Sequence, residues 1–153
     1  MDNAEQLDLL GRTLAAMLMG AIVGIEREFR GHEAGVRTSA LVCAGAALFG
    51  VVDTMFQDSR VAAGVVGGVG FLGAGVIFQR GNAPRGVTTA TTIWVLAGIG
   101  LATAAGLWIV AVVTTLVVVV LLEASAISDA IRHVGREMDA HQAAEARQRP
   151  DEP

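Results

Sequence analysis

Hydrophobic and polar positions along this chain are gathered into blocks rather than alternated. Val61 to Gln79 is a run of nineteen residues without a charge, bounded by Arg60 and Arg80. At ~1.5 Å per residue it would reach roughly 29 Å as a helix, about the thickness of a bilayer's hydrocarbon core. Gly86 to Leu122 is a second charge-free run, of thirty-seven residues. As one helix it would reach about 55 Å, so it must fold back. Division near Ala102-Thr103-Ala104-Ala105-Gly106 gives spans of about Val87–Thr103 and Leu107–Leu122. Thr38 to Gln57 is apolar except for Asp53. Leu7 to Ile25 carries Asp8 and Arg12, one turn apart, and is read as a first span with that pair near the head groups. The acidic residues Asp2, Glu5 and Asp8 and the lack of a small-residue cleavage site argue against a signal peptide. The pattern predicts an all-α polytopic membrane protein with about five transmembrane helices.

Charge distribution orients that arrangement. All eleven basic residues are Arg. With five spans, Arg27, Arg30, Arg37, Arg80, Arg85, Arg132, Arg136, Arg147 and Arg149 share one side, leaving only Arg12 and Arg60 on the other. Cytoplasmic loops collect positive charge, so the N-terminus is expected outside and the C-terminus in the cytoplasm. Four spans would move the tail across the membrane and erase most of the bias. Charged residues are 17% of the chain against ~25% in soluble domains, which leaves no room for a separate soluble domain. Residues 1–122 are expected to form the transmembrane domain. Residues 123–153 read as a cytoplasmic tail, a short surface helix around Ile127, Ile131 and Val134 followed by a disordered end.

Candidate chemistry is sparse. Gly64, Gly67, Gly68, Gly70, Gly73 and Gly75 crowd the third span, and Gly64 with Gly68 makes a GxxxG pair. In lipid such residues predict close helix packing; bending beside a substrate path is the alternative. Gly68-Val69-Gly70-Phe71-Leu72-Gly73 matches a dinucleotide fingerprint but lies inside a charge-free span with no acid before Glu123, and is rejected. The segment from Glu26 to Thr38, with Glu26, Arg27, Glu28, Arg37 and Thr38, reads as a solvated loop whose Arg residues set topology. Alternatively, Glu26 and Glu28 pair with Arg or bind a cation such as magnesium, although interleaved Arg residues oppose a strong site. In the fourth span Arg85 precedes Thr88, Thr89 and Thr92, with Thr88 and Thr92 on one helix face. Their hydroxyls either bond back to the preceding turn or form a polar stripe. Asp53 is read as interfacial, or as an ion or proton site. Cys43, the only cysteine, permits no intrachain disulfide and is expected to pack. His32, His133 and His141 lack metal-ligand spacing, and no nucleophile–base pair stands out. Neither an enzyme, a cofactor nor a nucleic-acid partner is expected.

Five motifs occur in order: Gly24-Ile25-Glu26-Arg27-Glu28; Ala34-Gly35-Val36-Arg37-Thr38 running into Leu41–Phe49; Asp58-Ser59-Arg60-Val61-Ala62-Ala63; Gly68 to Ile77; and Arg85-Gly86-Val87-Thr88-Thr89-Ala90. Across roughly residues 10 to 110 this series resembles the MgtC/SapB family of bacterial inner-membrane proteins. The resemblance implies a helical domain linked to growth under magnesium limitation, acting on other membrane machinery, the proton-driven ATP synthase among it. The family's Gly-Leu-Thr-Thr-Ala-Ala stands here as Gly86-Val87-Thr88-Thr89-Ala90-Thr91. Longer members carry a soluble ACT-like C-terminal domain, which the thirty-one residues after Leu122 cannot form, so regulation through it is expected to be absent or supplied by another chain. The leading expectation is a non-enzymatic inner-membrane protein that modulates magnesium-related ion homeostasis by contact with another copy or another membrane protein. A cation transporter or channel, for magnesium or protons, is the alternative.

Overall fold

The computed structural model describes residues 2–56, 60–78 and 86–124, apart from the side chains of Phe56 and Phe78. These residues form five helices and no strand: α1 (Asn3–Phe29), α2 (Val36–Phe56), α3 (Arg60–Phe78), α4 (Val87–Ala104) and α5 (Trp108–Ala124). The first four are long and apolar enough to cross a membrane. The shorter α5, 17 residues by its bounds, would reach about 25 Å. The all-helical membrane architecture is therefore as expected from the charge-free runs.

Two boundaries differ from expectation. First, α1 begins at Asn3 rather than Leu7 because Asp2 and Glu5 form a capping box. The Asp2 carboxylate accepts from the Glu5 N–H at 2.7 Å, and Glu5 accepts from the Asp2 N–H at 3.0 Å, satisfying donors that a bare helix end would leave open. Second, Glu26, Arg27, Glu28 and Phe29 are the last turn of α1, not loop, and the connection to α2 is confined to 30–35. With 27 residues α1 reaches ~40 Å, so its polar ends project past an apolar core of ~30 Å.

The expected break between the last two spans falls at Ala105-Gly106. Gly106 adopts a left-handed conformation (φ 76°), its N–H donates to Thr103 O at 3.0 Å, and Leu107 N–H donates to Ala102 O at 2.9 Å. That pair of bonds is a Schellman motif, which needs glycine because a Cβ opposes positive φ. Arg12 fastens the same end. Its guanidinium holds Asp8 at 2.8 Å and donates through Nη1 to Ala104 O at 2.9 Å, where α4 presents its negative pole. Arg12→Gln is expected to cost about 1 kcal/mol, read as a lower thermal midpoint in detergent. An unchanged midpoint would show that this end is held without it.

α1, α2 and α4 pack against one another to form the core. Gly20 faces Ser39 and Cys43, Gly24 faces Val36, and Gly50 faces Ala104, each so closely that an added Cβ would lie within 2.7 Å of a neighbouring atom. Gly100 abuts the Cys43 carbonyl more tightly still. Cys43, fully buried, is thus a packing residue between α1 and α4. These contacts make α1 and α2 antiparallel, and α2 and α4 parallel.

The glycines expected to seat α3 tightly find little to pack against among the described residues. A Cβ added at Gly64, Gly67, Gly68, Gly70 or Gly75 would meet no described atom within 4 Å, and one at Gly73 would make ordinary contact with Ala90. GxxxG spacing places two small residues on one face but does not say which neighbour that face meets. Gly20 and Gly24 have the same spacing, and theirs is the pair that lets helices close up here. By contacts the chain divides into two units, Met1–Val119 and Val120–Pro153. Of the second, residues 120–124 are described, and they complete α5. The surface helix and disordered end expected further on, and Arg85, fall outside the described residues.

Candidate functional site

Buried polar groups collect where the end of α1 meets the starts of α2 and α4. Ala16, Gly20, Val23, Gly24 and Arg27 recur at helical spacing on the inward face of α1, so Arg27 enters the core as the last member of an apolar stripe. Its residue exposure is 1%. Nη2 donates to the backbone carbonyl of Glu33 at 3.1 Å and to Thr89 Oγ1 in the first turn of α4. Among the described residues Arg27 Nε, although buried, has no partner. The neighbouring Glu26, 9% exposed, pairs through Oε1 with Arg30 Nε at 2.8 Å, while its buried Oε2 is likewise without a hydrogen-bond partner.

Glu28 points elsewhere. Its Oε2 accepts from Val36 N–H at 2.9 Å and caps α2, and Gly35 leaves the space for that carboxylate: a Cβ there would sit 2.6 Å from the same oxygen. Glu26 and Glu28 therefore serve an Arg side chain and a helix end, rather than converging. No group of three or more His, Cys, Asp or Glu side chains able to hold a metal occurs among the described residues. Arg37 and Thr38 are exposed on α2. Ser39, which sequence reasoning passed over, is fully buried and donates to Ala34 O at 3.0 Å, steadying the α1–α2 connection. Its signal was weak, a small hydroxyl one residue beyond the motif.

The threonines of α4 divide differently from the expected face. Thr89 and Thr92 are buried and Thr88 is exposed. Thr92 Oγ1 bonds back to Thr88 O at 2.7 Å, and Thr91 Oγ1 to the same carbonyl at 2.9 Å. Thr89 alone accepts from a distant side chain, that of Arg27. Asp53 lies at the opposite end of the bundle. Its Oδ1 accepts from Ala62 N–H at 3.3 Å, capping the first turn of α3. Because α2 and α4 run parallel, Asp53 sits near the end of α4 and Thr89 at its start, separated by ~20 Å of helix. The polar groups of a hypothetical ion path are thus not assembled in one cavity among the described residues. A groove of about 660 Å³ runs between α2 and α3 and is apolar, lined by Leu41, Gly45, Phe49, Gly64, Gly68 and Leu72 among others.

Comparison with known proteins follows the same residues. The MgtC family model matches residues 13–129. Protein MgtC of Salmonella typhimurium (strain 14028s / SGSC 2262) is 48% identical over 108 residues, which cover 69% of this chain and 47% of that protein. Protein MgtC of Brucella abortus (strain 2308) is 44% identical over 108 residues, 68% of this chain and 45% of that protein. This chain spans about half the length of the curated relatives it matches. No solved structure matches it.

Proposed function

Because the chain belongs to the MgtC family, we propose that it is a non-catalytic bacterial inner-membrane protein that modulates magnesium-related ion homeostasis by contact with a membrane partner. The orientation that goes with this reading is an outer N-terminus and a cytoplasmic C-terminus, as the Arg bias favours. One observation carries the partner contact. An added Cβ at five glycines of α3 would meet no described atom within 4 Å, whereas Gly20, Gly24, Gly50 and Gly100 are each spent on a close helix approach. Lipid tails offer no hydrophobic drive between helices, so association depends on surfaces that permit close backbone approach. The α3 face beside the α2–α3 groove is such a surface, and a helix of another copy or of a different membrane protein fits it.

The test pairs growth with cross-linking. Bacteria lacking the chain are expected to grow poorly at limiting magnesium and to recover with the wild type. The double variant Gly64→Ile and Gly68→Ile is expected to accumulate normally in the membrane yet fail to restore growth. A photoreactive residue at position 67 is expected to cross-link to a membrane protein in the same cells. Full rescue by the double variant, with no cross-link from position 67, would overturn the partner reading. Normal growth of the deletion at limiting magnesium would overturn the magnesium reading separately.

A further inference from the structure

Arg37 and Thr38 are exposed at the start of α2, so the bundle core does not account for them. Helical periodicity ties them to the apolar groove between α2 and α3. Positions 37, 41, 45 and 49 follow at i, i+4 spacing and share a face of α2. The last three, Leu41, Gly45 and Phe49, line the groove. Thr38 likewise stands one turn before Val42, which lines it too. A cation and a hydroxyl therefore lie one turn beyond the groove's end on α2.

Depth and surroundings say what enters it. α2 has 21 residues, so it reaches ~31 Å and matches a hydrocarbon core of ~30 Å. Arg37 is its second residue, which sets the guanidinium at the boundary where lipid phosphates lie. From Arg37 to Phe49 the helix rises ~18 Å, a little over half the core, the reach of an acyl chain from one leaflet. Every residue lining the groove is apolar, and the space amounts to about 660 Å³. Water needs polar partners to enter such a space, so hydrocarbon fills it. Glu26 and Glu28, at the same end of the bundle, are engaged by Arg30 and by the Val36 N–H. A basic residue at the mouth of a cleft between membrane helices complements an anionic head group.

We propose that the α2–α3 groove holds one acyl chain of an anionic phospholipid, its phosphate taken by Arg37 and Thr38. Arg37 donates charge-assisted N–H bonds to phosphate oxygens, and the Thr38 hydroxyl donates another. The chain lies over Gly45, Gly64 and Gly68, where the missing side chains leave it room. This binding does not rest on the partner contact. Its test alters α2 alone and leaves the glycines of α3 as they are.

The full chain, stripped of lipid in an uncharged detergent, is titrated with phosphatidylglycerol and, separately, with phosphatidylcholine, following native mass and thermal midpoint. The wild type is expected to retain one phosphatidylglycerol, to be stabilised by it, and to hold phosphatidylcholine more weakly. Arg37→Gln is expected to weaken phosphatidylglycerol binding about tenfold, the scale of one charge-assisted hydrogen bond. Gly45→Phe, where an added Cβ meets no described atom within 4 Å, is expected to fold and to retain no lipid, its ring occupying the groove. Arg60→Gln, at the opposite end of the bundle, and Val113→Phe, on an exposed face of α5, are expected to bind as the wild type does. Equal losses in Arg37→Gln and Arg60→Gln would mean unspecific charge and would overturn the site, as would full binding by Gly45→Phe. Equal retention of the two lipids would overturn the anionic head group. A native mass showing a second copy in place of lipid would give the groove to a protein contact and overturn the proposal. So would a wild type that retains neither lipid, a result that stands even where Gly45→Phe does not fold.

Discussion

Gly100→Leu is expected to yield no recoverable folded protein, whereas Gly68→Leu accumulates and unfolds near the wild-type temperature. Both replace a glycine inside a membrane helix, and intrinsic helix propensity favours both changes by somewhat under 1 kcal/mol. Packing decides the sign. At Gly100 the new Cβ falls on the Cys43 carbonyl, with the Ala46 Cβ 2.9 Å and the Ala47 nitrogen 3.0 Å away. Two of those atoms belong to the α2 backbone and cannot rotate aside, so α2 and α4 must separate. Overpacking a tight core ordinarily costs about 1–3 kcal/mol, and here the rest of the Leu side chain meets the same wall. Separation also opens the α1–α2 contact at Gly20, because Cys43 is shared between Gly20 and Gly100. The loss is therefore expected to exceed roughly 4 kcal/mol, most of a typical folding free energy of about 5–15 kcal/mol. At Gly68 no described atom lies within 4 Å of the added Cβ, so the propensity gain meets no described obstacle. Fluorescence-detected size exclusion and thermal unfolding in one detergent read both variants. Comparable stability of the two would contradict the assignment of α4 to the core and α3 to its side.

That contrast also marks what was legible in the sequence. Bilayer thickness sets the length of an apolar helix, so the runs from Val61 and from Gly86 revealed the helices and even the turn at Ala105-Gly106. Direction was not legible. Gly20 with Gly24, and Gly64 with Gly68, have identical spacing; the first pair closes a helix contact and the second lines the groove between α2 and α3 without closing it, because the partner surface is absent from a one-dimensional pattern. Asp53 could not be recognised as a cap, since its acceptor role depends on Ala62 folding back beside it. Glu26 and Arg27 were hidden for a different reason. Charges in a polar stretch are ordinarily solvated, and nothing local discloses that one guanidinium will be covered by a helix beginning sixty residues later. The family motifs did flag the segment, without revealing that Arg27 rather than Glu28 is the buried member.

Thr89→Val is expected to destabilise the protein by about 1.5–3 kcal/mol, the range for losing a hydrogen bond to a buried charged group. The swap keeps side-chain volume, so the effect isolates the hydroxyl. Without it, Arg27 keeps the Glu33 carbonyl as its one remaining acceptor among the described residues, while staying buried at 1% exposure. Thr92→Val supplies the control. Its hydroxyl only bonds back to Thr88 O, so its removal is expected to cost under about 1 kcal/mol. Removing both partners sharpens the test: Arg27→Met combined with Thr89→Val eliminates the stranded charge together with its acceptor. Replacing both members of a buried polar pair by apolar groups is far milder than breaking it from one side. The double variant is thus expected to be more stable than the sum of the single losses predicts, by about 0.5–3 kcal/mol. Thermal or denaturant unfolding of the four proteins closes the cycle. Strict additivity would mean that Arg27 and Thr89 touch without depending on each other, and that some other group carries the charge of the guanidinium.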